Sequence, residues 1–115
     1  MPFWYFFPVP QIPPEVAHQS NQVELVKYLA NEGDKVDKGM PIALVENWWA
    51  VFRLSANGPG ILKKTFFDPG TSITVGDPIA IIAADGEHIP YGQSHSVLEV
   101  VKMKREKPPR KGSSS

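Results

Sequence analysis

The chain has 115 residues, no cysteine, 21% charged residues and a formal net charge of zero. That length gives one domain with room for its own core. The lack of cysteine excludes disulfides and thiolate metal sites, and three histidines (His18, His88, His95) without ligand spacing argue against a metal centre. No apolar run is long enough to cross a bilayer, and "MPFWYFFPV" lacks the basic start of a signal peptide, the first Lys or Arg being Lys27. A cytoplasmic protein without a membrane span is expected.

Residues 1–21 read as an N-terminal extension. Five aromatics in a row (3–7) precede Pro8, Pro10, Pro13 and Pro14. Proline at that density forbids a helix and a central strand, leaving an extended or edge segment. Five exposed aromatics need cover, which the chain's own domain is expected to supply in preference to a partner.

Residues 22–90 read as the main domain, and it is all-β. Short apolar and β-branched runs ("VELVKYLA", "PIALVE", "AVFRL", "GILKKTFF", "PIAIIA") are separated by Gly, Asp, Asn and Pro clusters, with no long amphipathic helix between them. Residues 91–103, with "SVLEVVKMK", form a last strand or a short helix; Val97, Val100 and Val101 favour the strand. Residues 104–115 read as a disordered basic tail. From 102 onward six cations (Lys102, Lys104, Arg105, Lys107, Arg110, Lys111) face one acid, Glu106. That end is therefore +5 and residues 1–101 are −5. A solubilising end is the plainer reading of this tail, and a nucleic-acid arm the sharper one.

An internal repeat fixes the architecture. Residues 25–45 align with 62–82 at an offset of 37 without a gap, and seven of 21 positions are identical, Gly33/Gly70 and Gly39/Gly76 among them. Each copy is a strand–turn–strand–turn–strand unit that cannot bury its apolar face alone. Two copies packed face to face give a small sandwich with pseudo-twofold symmetry.

The two halves, in "NEGDKVDKGMPIALVE" and "GPGILKKTFFDPGTSITVGDPIAII", resemble the biotinyl/lipoyl domain family over about residues 22–84. The resemblance implies a flattened barrel of two four-stranded sheets. It also implies an exposed hairpin whose tip lysine receives biotin or lipoate and swings the group between active sites. In lipoyl domains that hairpin reads E-T/S-D-K-A, with a Gly eleven residues after the lysine. Here the stretch is Glu46, Asn47, Trp48, Trp49, Ala50, with Gly60 eleven residues after Trp49. The acceptor position thus holds an indole, which has no amine to acylate, and no cofactor is expected there. Lys63 and Lys64 belong to a strand beyond the hairpin. "VVKMKRE" around Lys102 is faintly similar to the M-K-M of biotinyl domains, without their preceding Ala-Met.

Pairing the hairpin about Trp48 and Trp49 sets Glu46 against Val51, Val45 against Phe52, Leu44 against Arg53 and Ala43 against Leu54. Alternation then gives a core face of Ala43, Val45, Phe52 and Leu54, with Asn47 as the turn residue. The opposite face and the tip gather Trp48, Trp49, Leu44 and Val51, edged by Glu46 and Arg53. Aromatic anchors with a polar rim have the composition of a protein-binding hot spot. The competing reading folds the indoles over their own sheet or beneath the aromatic N-terminus.

A non-catalytic interaction module with a protein partner at the hairpin tip is the function expected. A carrier acting through another lysine, or a nucleic-acid-associated accessory using the basic tail, are the alternatives. An adaptor of the membrane-fusion type would need long flanking helices. No Ser/His/Asp set, phosphate loop or metal cluster supports an enzyme.

Overall fold

A computed structural model of the protein describes residues 2–17, 20–85 and 94–105. Along these residues run β1 (Pro2–Pro8), α1 (Pro14–Ala17), β2 (Gln22–Tyr28), β3 (Lys35–Val36), β4 (Pro41–Glu46), β5 (Ala50–Ala56), β6 (Gly60–Thr65), β7 (Ser72–Thr74), β8 (Pro78–Asp85) and β9 (Ser96–Met103). The strands form two antiparallel sheets, one ordered β1-β8-β6-β3 and the other β7-β2-β4-β5-β9. The all-β, flattened two-sheet fold expected from the repeat is the fold observed.

The offset of 37 read in the sequence governs the hydrogen bonds as well. Leu25 N–H donates to Thr71 O and Leu62 N–H to Asp34 O, both at 2.9 Å. Gly33 N–H donates to Leu62 O and Gly70 N–H to Leu25 O, both at 2.7 Å. The halves exchange their short strands: β3 pairs with β6, and β7 pairs with β2. Each half therefore completes the other's sheet, which is why one copy cannot stand alone. The repeated glycines sit where the exchange requires left-handed backbone, Gly33 at φ 96° and Gly70 at φ 93°.

The N-terminal stretch set apart as an extension begins with a full edge strand. Pairs Tyr5↔Ile82 and Phe7↔Ala80 reproduce Phe52↔Val45 and Leu54↔Ala43, so β1 stands to β8 as β5 stands to β4. The loops agree: Gly39 N–H donates to Ala56 O at 2.7 Å and Gly76 N–H to Val9 O at 2.8 Å. Strand alternation buries Tyr5 and Phe7 and turns Trp4 and Phe6 outward, 61% and 56% exposed. The aromatic run thus docks on its own domain along one face only. Val9, Ile12 and Val16 continue the core beyond β1. Pro14 opens a single helical turn, which the proline count had argued against. At the first turn of a helix the missing N–H has no intrahelical partner to lose, so proline is tolerated.

Ser96–Met103 is a strand, and it adds a fifth member to a sheet for which the resemblance implied four. Its start is tied down: Ser96 Oγ donates to Pro8 O at 2.7 Å, and the His95 ring stacks on Tyr5 with centroids 4.3 Å apart. Between the sheets lie Leu25, Ile42, Val45, Phe52 and Leu54 from one side and Phe7, Leu62, Ile79 and Ile82 from the other, all fully buried. Each contributes on the order of 1.5–3 kcal/mol of burial energy.

Candidate functional site

The β4–β5 hairpin has the register expected of it: Ala43↔Leu54, Leu44↔Arg53, Val45↔Phe52 and Glu46↔Val51. Its turn is closed by Asn47, whose N–H donates to Ala50 O at 3.0 Å. The Asn47 side-chain oxygen accepts from Trp49 N–H at 2.8 Å and Ala50 N–H at 2.9 Å. Its amide donates to Val16 O at 2.6 Å, so α1 is pinned against the tip. A short polar side chain that satisfies turn N–H groups is the reason asparagine suits this place.

The indoles part company at the turn. Trp48 is 63% exposed, whereas Trp49 is half-buried and packs against the core. Leu44 and Val51 are half-buried on the outer face of the sheet. The rim charges are engaged: Arg53 donates to both carboxylate oxygens of Glu99 at 2.8 Å, and Glu46 accepts from Lys104 Nζ at 2.7 Å. Leu44, Glu46, Val51 and Arg53 thus share the outer face with their charges paired, and Trp48 stands exposed at the turn, whereas Trp49 packs against the core.

The competing reading holds in part, since Trp49 folds onto the core and α1 is bonded to Asn47, and the chain just past β9 also reaches the tip. Lys104 N–H donates to Trp49 O at 2.8 Å, and Lys104 Nζ also reaches Asn47 O at 2.9 Å. The Arg105 guanidinium lies 3.4 Å from the centre of the Trp48 ring and donates to Trp48 O. A guanidinium over an indole face is a favourable cation–π contact. Lys104 and Arg105 were expected in a disordered tail, and they are instead a strap on the hairpin. Glu46, two turn carbonyls and an indole face offer these cations partners that no local sequence pattern announces. Residues 106–115, with Lys107, Arg110 and Lys111, lie outside the described residues.

Beside the tip runs an open groove of about 560 Å³, between the end of α1, the start of β2 and the turn. Glu24, Glu46, Asn47, Trp48, Trp49 and Lys104 line it. Glu24 and the strap were missed as site residues, because sheet pairing across the chain brings them there.

The sequence model described as "Biotin-requiring enzyme", that of the biotinyl/lipoyl attachment domains, matches residues 11–82. The chain belongs to the biotinyl/lipoyl domain family. Over 81 residues it is 36% identical to the pyruvate dehydrogenase E1 component subunit beta of Rhizobium meliloti (strain 1021), and 33% identical to the mitochondrial pyruvate dehydrogenase protein X component of Mus musculus. Those alignments cover 70% of this chain but 18% and 16% of the relatives. The dihydrolipoyllysine-residue acetyltransferase component of the pyruvate dehydrogenase complex from R. meliloti is 34% identical over 77 residues, 66% of this chain and 17% of that protein. The chain thus spans under a fifth of the length of these curated relatives.

Family membership raises the question of a prosthetic group, and the turn does not fit one. Residues 47–49 supply an amide and two indoles, none of which forms the amide bond that a lysine forms with biotin or lipoate. The Trp49 carbonyl is held by Lys104 N–H, and the Lys104 amine, which reaches Asn47 O, is ion-paired with Glu46. Lys63 and Lys64 lie on β6, in the other sheet. Among the described residues no group of His, Cys, Asp and Glu is arranged to hold a metal, and no helix is long and apolar enough to cross a membrane.

Proposed function

We propose that this chain is a non-catalytic, cytoplasmic protein-interaction module of the biotinyl/lipoyl family. In this reading its hairpin tip binds a protein partner through Trp48 and Trp49 instead of carrying a group. The observation that carries the proposal is the turn itself: a rigidly bonded tip that presents a largely exposed tryptophan and no amine. Exposed indoles are costly in water and are enriched at binding hot spots. The relatives are named as components of pyruvate dehydrogenase, which makes an assembly of that kind the first place to seek the partner.

Intact mass of the protein isolated from its host tests the loss of carrier function. The unmodified chain mass is expected, and a stoichiometric gain of biotin or lipoyl mass would overturn the reading. That gain would instead support a carrier working through another lysine, for which Lys102, exposed on β9 and paired in register with Val51 beside the tip, is the best placed. A nucleic-acid role draws less support, since Lys104 and Arg105 already hold Glu46 and Trp48.

A further inference from the structure

The outer face of the five-stranded sheet carries a like-charge pair. Glu24 on β2 stands directly opposite Glu46 on β4, an arrangement that is unfavourable unless a cation intervenes. Lys104 supplies one to Glu46; among the described residues Glu24 has no ion pair. Both carboxylates line the same groove as the two indoles. The ring contact made by Trp48 is with a guanidinium, that of Arg105. Indole faces and carboxylates select the same chemistry, a cation with an apolar stem or a planar head. With Lys102, Lys104 and Arg105 counted, residues 1–105 carry a net −2, a weak field of the matching sign.

From this we infer that the tip groove takes a basic segment of the protein partner. An arginine or lysine of that segment lies against Trp48 and faces Glu24, and the chain's own Arg105 is an internal stand-in with which it competes. The inference rests on the tip being the partner-binding surface and names the chemistry of what binds there. The geometry supports a cation over an anion: the two strap cations are already matched to Glu46, turn carbonyls and an indole face, whereas among the described residues the Glu24 carboxylate on the groove wall has no ion pair.

Fluorescence anisotropy with the full chain and two labelled peptides tests it, one alternating Arg and Ser and the other alternating Glu and Ser. The arginine peptide should bind and the glutamate peptide should not. Trp48→Ala should weaken binding about tenfold, and Glu24→Gln, at an exposed position that leaves the fold intact, about fivefold. Arg105→Ala should tighten it about threefold by removing the competitor. Equal binding of both peptides, or Glu24→Gln within twofold of the parent, would overturn the inference. So would a tenfold tightening when Lys107, Arg110 and Lys111 are changed to Gln, which would assign the groove to the chain's own tail. If the double substitution of Trp48 and Trp49 abolishes native partner capture while Glu24→Gln alters neither peptide binding nor capture, the tip reading stands and the basic-segment inference falls. If capture survives the double substitution, both fall.

Discussion

At Asn47 a single side-chain amide makes three hydrogen bonds, two accepted from turn N–H groups and one donated to Val16 O. Asn47→Ala should therefore destabilise the fold by about 1–3 kcal/mol, because half-buried donors lose their acceptor. Asn47→Asp keeps the acceptor for the turn but sets a carboxylate oxygen against Val16 O in place of the donor, so it too should destabilise the fold; urea denaturation of both variants measures the two losses. His95 makes a second residue-scale prediction. Burial holds its imidazole below the ordinary range, and among the described residues the buried Nδ1 has no hydrogen-bond partner. The unfolded chain then takes up the His95 proton at higher pH than the folded one. The stability that depends on neutral His95 is complete above the unfolded value of 6.5 and is lost as pH falls through it toward the lower folded value. Between pH 7.5 and pH 5.5 the parent should lose more stability in urea than His95→Asn does; equal losses would remove His95 as the cause.

At the scale of elements, β1 is the strand whose standing is easiest to misjudge. Phe7 occupies the place in β1 that Leu54 occupies in β5, and both are fully buried. Phe7→Ala should cost about 3–5 kcal/mol in thermal or chemical unfolding, as expected for a core ring. A loss below 1 kcal/mol would mean that β1 is a detachable extension. The sequence made β2 to β8 legible because the repeat lies in line, 25–45 against 62–82, and because glycine is needed at the same turns in both copies. For β1 it gave only an extended or edge segment docked on its own domain, and its place in the repeat stayed hidden because the symmetry there is permuted: β5 follows β4 along the chain, whereas its counterpart precedes the whole repeat. Proline density also argued for an extension, although prolines are compatible with the end of an edge strand. Gly60 was legible by its spacing from the turn, and the structure supplies the reason. A Cβ there would sit 2.7 Å from Ala83 O and collide with the Ile82 side chain, so β6 can approach β8 this closely only at glycine.

Over the whole molecule, two sheets swap strands to close a core, and the one hairpin joining β4 to β5 projects beyond it with its register and turn residue as read from the sequence. The identity of the tip residues was equally legible, since an indole pair at a turn violates local preference and so points to a role beyond folding. The strap was not legible, because the partners of Lys104 and Arg105 lie more than fifty residues away in the chain. The proposed function would keep stability and binding apart at Trp48, which lies outside the core between the sheets, and less so at Trp49, which packs against that core. Joint substitution Trp48→Ala and Trp49→Ala, read by unfolding and by capture of the native partner from its host, tests that separation most directly. The account predicts a folded variant that is destabilised by much less than the roughly 3–5 kcal/mol of Phe52→Ala and that no longer captures the partner. A variant that melts like the core deletion, or one that folds and still captures every partner, would contradict it.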